Sequence, residues 1–194
     1  MDAAWLYAKL REEIEFSGSE LNIEGAIQIG ERVRLFSRGN GAPRGALLPV
    51  NATCDLDLAA LLHHLRDPGS AAVPAPLDVI QYQLGSIGGV ALGFTDAALW
   101  RGSVLYSATA EASPDATRDG PVAGSGIGVI DAGGRARWAR LTDGAESAFP
   151  LKVEGLASTP GVASTLYVAL DCDDPGAASE LCTVELAGPW EAPG

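Results

Sequence analysis

Three stretches of this chain repeat one pattern, and the repeat narrows the possible folds more than any other feature. They are 23–40 (IEGAIQIGERVRLFSRGN), 94–111 (FTDAALWRGSVLYSATAE) and 153–171 (VEGLASTPGVASTLYVALD). Each opens with an apolar or small residue followed by an acid: Glu24, Asp96 or Glu154. A short apolar strand, a turn and a second apolar strand follow, closing on Asn40, Glu111 or Asp171. The acid-to-polar distances are 16, 15 and 17 residues, and the acids stand 72 and 58 residues apart (from 24 to 96 to 154). Self-similar all-strand units of this kind predict a mainly β chain of β-propeller-like, repeated antiparallel blades. Their expected bounds are roughly 20–90, 91–142 and 150–187 within a single propeller-like domain, 1–194. A sandwich of unrelated strands is the alternative. Propellers typically close with four to eight blades. Three therefore predict an incomplete ring, completed by a homodimer or by a missing N-terminal portion.

The remaining chain punctuates these units. Strands are predicted at 23–29, 32–37, 78–84, 89–94, 97–100, 103–109, 122–130, 135–141, 164–170 and 180–186, where Val, Ile, Leu, Tyr and Phe concentrate between turn residues. A helix is expected over 2–15, with Ala4, Trp5, Tyr7, Ala8, Leu10 and Ile14 near one stripe. A second is expected over 55–66, capped by Asp55 and stopped by Asp67-Pro68-Gly69. Gly 24 and Pro 12 among 194 residues fit many short elements and turns.

Charge excludes one class of partner. The formal net charge is −12, and the only basic cluster, Arg135, Arg137 and Arg140, is flanked by Asp131 and Asp143. Nucleic acid is not an expected partner, since phosphate binding needs clustered Lys and Arg. No apolar run approaches the roughly 20 residues that span a bilayer, so no membrane partner is expected. MDAAWLYAKLREEIE has no basic n-region before an apolar stretch, so a cytoplasmic location is the default expectation. Cys54, Cys172 and Cys182 are odd in number and irregular in spacing, as reduced structural cysteines would be.

Asn22-Ile23-Glu24-Gly25-Ala26, Arg38-Gly39-Asn40 and Asn51 resemble an uncharacterised bacterial β-propeller family. So do Leu92-Gly93-Phe94-Thr95-Asp96-Ala97, Ala110-Glu111, Asp119-Gly120-Pro121-Val122-Ala123-Gly124, Glu154-Gly155-Leu156 and Asp171-Cys172-Asp173-Asp174-Pro175. The resemblance covers about residues 5–187. That family is distantly similar to phytase-like esterase and gluconolactonase-type propellers, which often hold a divalent cation in the channel. The resemblance implies further N-terminal blades that this chain lacks, hence a C-terminal portion of a propeller.

Glu24, Asp96 and Glu154 supply hard carboxylate oxygens from three units, and Asn40 and Asn51 could add amide oxygens. Calcium, which takes six to eight oxygens in flexible geometry, suits such a set better than zinc. The bland alternative is carboxylates bonded to backbone amides at strand starts. His63 and His64 are adjacent, not spaced for one zinc ion. The loops Asp171–Gly176 and Asp115–Gly120 begin like calcium loops but have Cys182 and Gly126 where an EF-hand needs an acid. Glu111 and Asp171 are the candidate general bases for a metal-bound water. Ser125 lacks the G-x-S-x-G elbow because Ala123 holds the first glycine position, and the glycines around it suit tight strand packing better than dinucleotide binding. The expected function is a calcium-dependent hydrolase of phosphoester or lactone type, its small-molecule substrate unknown. The alternative is a non-catalytic interaction or assembly module.

Overall fold

The structure is a computed structural model and describes residues 3–115, 118–143, 149–159, 161–162, 164–171, 176 and 178–190. The chain is mainly β, with antiparallel sheets and a few short helices. It divides into two compact units, the first running to Gln83 and the second built from Leu84–Ser113 and Arg118 onward. Among the described residues no helix is long and apolar enough to cross a membrane.

The first unit holds one four-stranded meander, β1 (Ile23–Ile29), β2 (Arg32–Ser37), β3 (Asn51–Asp57) and β4 (Leu77–Tyr82), in that order. Three helices join it: α1 (Ala4–Glu12), α2 (Ile14–Ser17) and α3 (Leu58–Arg66). Period-two alternation sorts β3 cleanly. Ala52, Cys54 and Leu56 are buried in a cluster with Leu6, Leu10, Phe16, Leu35 and Leu61. On the opposite parity, Thr53 Oγ1 lies 3.3 Å from the Tyr82 hydroxyl, and Asp55 receives a two-pronged bond from Arg34, 2.7 Å from Nε and 2.9 Å from Nη2. Burial pushes the Cys54 thiol up to about 12, so it packs as a small hydrophobe.

Two expectations are corrected in this unit. The helix over 2–15 is two helices, because Glu13 leaves helical geometry at φ −82, ψ 88. The second helix starts at Leu58, not 55. Asp57 is its cap, with Oδ1 accepting from Ala60 N at 2.8 Å, while Asp55 belongs to the strand before it. A cross-strand arginine opposite Asp55 wins over the local capping signal.

The second unit holds two sheets. One orders β5 (Ser86–Ile87), β6 (Val90–Trp100), β7 (Ser103–Glu111), β8 (Val122–Ile130) and β9 (Ala136–Arg140). The other orders β10 (Lys152–Ser158), β11 (Thr165–Asp171) and β12 (Glu180–Glu185). Trp100, Leu105, Ile127 and Val129 from the first share a core with Val153, Leu156, Leu166, Val168 and Leu170 from the second. The expected strands at 89–94 and 97–100 are one, continuous through Thr95 and Asp96. The β6–β7 turn puts Arg101 (φ 50) and Gly102 (φ 80) in the left-handed region, as a two-residue hairpin turn of type I′ requires.

The glycines of β8 have a steric reason. A Cβ on Gly128 would lie 2.2 Å from Cζ of Tyr106, its cross-strand partner, and one on Gly126 would lie 2.9 Å from Cε3 of Trp138. Tyr106 is fully buried, edge-on to Phe94 at 5.2 Å and 83°.

Candidate functional site

Each repeated segment falls on the first long hairpin of one sheet: β1–β2, β6–β7 and β10–β11. Each of those first strands carries a bulge at the repeat's opening. Pairing steps from Ile23↔Ser37 to Gly25↔Phe36, from Phe94↔Ala108 to Asp96↔Ser107, and from Val153↔Leu170 to Gly155↔Ala169. The extra residues are Glu24, Thr95 and Glu154. Two of the three repeat acids are thus bulge residues, and Asp96 stands one place beyond its bulge. A bulge leaves one residue outside the ladder and re-aims the side chains after it.

In the first unit the bulge acid Glu24 lies beside a buried cation. Arg38 Nη1 is 3.7 Å from Glu24 Oε1, and the arginine side chain is only 4% exposed. Asn22 Nδ2 donates to the same carboxylate oxygen at 2.8 Å and to Asn40 Oδ1 at 3.2 Å. Asn51 Oδ1 accepts from Gly39 N at 2.9 Å. Asn40 and Asn51 therefore hold the chain around Arg38 and Gly39.

In the second unit three carboxylates gather on one ammonium group. Lys152 Nζ lies 3.0 Å from Asp119 Oδ1, 3.4 Å from Glu154 Oε1 and 4.0 Å from Glu111 Oε2. The Glu111 side chain is 1% exposed, and its other oxygen accepts from Gly120 N at 2.8 Å. Such a cation is held by Coulomb attraction in a poorly hydrated setting, where a carboxylate without a partner would be costly.

Asp96 does something different. Its Oδ1 accepts from Ala97 N and its Oδ2 from Leu156 N, both at 2.7 Å, so it ties β6 to β10. Burial raises its pKa, and the two N–H donors oppose that shift without cancelling it. Asp171 lies exposed at the end of β11, opposite Lys152 in register.

The family comparison can be set against this geometry. Residues 1–175 match the family described as "Family of unknown function (DUF6910)". The chain belongs to that family. No curated protein and no solved structure matches it.

In this DUF6910 chain the predicted oxygen set is divided between the two units. Glu24, Asn40 and Asn51 lie in the first unit, and Asp96, Glu111, Glu154 and Asp171 in the second. Among the described residues no three His, Cys, Asp or Glu side chains are placed to share an ion. Glu111 and Glu154 are brought together, around Lys152. His63 is exposed, and His64 is buried with Nδ1 3.3 Å from Ala71 O. Of the two calcium-like loops, residues 172–175 and 116–117, Cys172 included, lie outside the described residues.

The sequence reading missed Lys152, Asn22 and the pairing role of Arg38. A local signal existed: Asn22 and Lys152 each stand two residues before a bulge glutamate, and each reaches its carboxylate. The reading also took no account of Asp119 as a partner for Lys152.

Proposed function

We propose that the chain is a non-catalytic β-sheet interaction module. What carries this reading is that its conspicuous carboxylates already have partners within the fold. Glu24 has Arg38 and Asn22, Asp96 has two backbone N–H groups, and Glu111 and Glu154 share Lys152. Such groups act as staples at bulged strand ends. Among the described residues the sheets end on edge strands, β1 and β4 in one unit and β12 in the other, which are open to pairing in this reading. Meanders of neighbouring strands are blade-like, and a second copy would complete a propeller in this reading.

One observation favours the second reading, a calcium-dependent hydrolase of phosphoester or lactone type. Glu111, Asp119 and Glu154 each lie within 4.0 Å of Lys152 Nζ, and a divalent ion that displaced this ammonium would have to draw the three carboxylates closer together. Thermal melts with calcium, magnesium or a chelator, across a range of protein concentrations, separate the two. A folded-state ligand at a hundred times its dissociation constant stabilises by about 2.7 kcal/mol, a shift of several degrees here. The interaction module gives no calcium-specific shift and a midpoint that rises with protein concentration. A calcium shift that is lost in Glu154→Gln overturns the fully partnered reading and supports the calcium site that the hydrolase reading needs, with turnover of a phosphoester or lactone as the deciding assay.

A further inference from the structure

Resting on the interaction reading, we infer that the outer edge of β12 receives an extended, basic segment of another protein as an added strand. A cleft of about 470 Å³ is bordered by β12. One wall is the unbroken run 182–185, the other is 140–143, and Phe149 and Val168 line it between them. Side chains of consecutive strand residues point to opposite faces. Four in a row can border one cavity only where it meets the strand's edge, where backbone N–H and C=O groups point outward. β12 pairs with β11 on its other side and, among the described residues, ends its sheet. Four residues of edge offer about 13 Å of template.

Charge selects the occupant. Glu180 and Glu185 stand at the two ends of β12, and Asp143 and Arg140 line the opposite wall, so the edge and cleft together carry more acid than base. The whole chain at −12 attracts a basic segment. On the outer face such a strand would run past Leu181, 74% exposed, and Thr183. That calls for apolar or β-branched residues between basic ends.

The test uses a capped lysine–valine–threonine–valine–threonine–lysine peptide, and the same peptide with glutamate for both lysines, on the full chain. Binding is read by fluorescence anisotropy, and amide hydrogen exchange reads which strand is covered. The lysine peptide is expected to bind saturably and slow exchange within 180–185, while the glutamate peptide does neither. Glu185→Lys, an exposed change that leaves the core alone, should weaken binding several-fold, on the order of five, as loss of one exposed ion pair would. Equal binding of both peptides, or unchanged exchange in β12, overturns the assignment. Protection at β1 or β4 instead also overturns it while upholding an interaction module. The calcium melts judge that broader reading without reference to β12.

Discussion

Asp96 shows how one carboxylate can be both a staple and a liability. Its two short bonds, to Ala97 N and Leu156 N, join sheets that share a core, yet burial pushes its pKa upward. A carboxyl with a raised folded-state pKa contributes most to stability below its unfolded pKa, and that contribution is lost as pH rises through the folded value. The stability of the native chain minus that of Asp96→Asn should therefore be larger near about pH 4 than near about pH 7. Urea unfolding of both proteins at the two pH values measures it. A difference growing toward neutral pH would mean that the N–H donors outweigh burial. The sequence announced the acid here but not its partners. Charge is legible in a residue name, whereas Leu156 N reaches Asp96 from 60 residues away.

Among the elements, β8 is the most tightly specified. Gly128 lies beneath the Tyr106 ring, so Gly128→Ala should destabilise by about 1–3 kcal/mol or more, the usual cost of overpacking. Making Tyr106→Val as well should recover part of that loss, so the double variant unfolds at a higher urea concentration than the two single losses predict when added. Simple additivity would show that the ring is not the obstacle. The same strand was legible in advance over its whole length, as were β1 and β2, because apolar runs sit between turn residues. β3 was not. Its Thr53, Cys54 and Asp55 look polar, and the apolar run after them invited a helix with Asp55 at its head. Only the opposite strand, carrying Arg34, explains why Asp55 is extended and nearly buried. β10 was legible only through the repeat, which sets a short apolar strand after Glu154, and not through alternation. Val153 and Leu156 both enter the core although three residues apart, a spacing that strand alternation forbids unless a bulge intervenes.

On the scale of the whole molecule, 25 acids against 13 bases dominate the long-range field. Surface self-repulsion destabilises the compact state and is screened within about 8 Å at physiological ionic strength. Raising sodium chloride from low to physiological strength should therefore raise the melting midpoint, and a fall would show that the ion pairs matter more than the net charge. The bulges act at this scale too, since all three sheets carry one. A bulge does to a strand what a one-base insertion does to a reading frame. Phe94 shares a face with Tyr106 while Asp96 turns toward Leu156, because Thr95 shifts the phase between them. Replacing Glu24, Thr95 or Glu154 edits a single letter. Deleting any of them would close the bulge and leave the pairs on either side of it, and so the inward and outward faces, as they are.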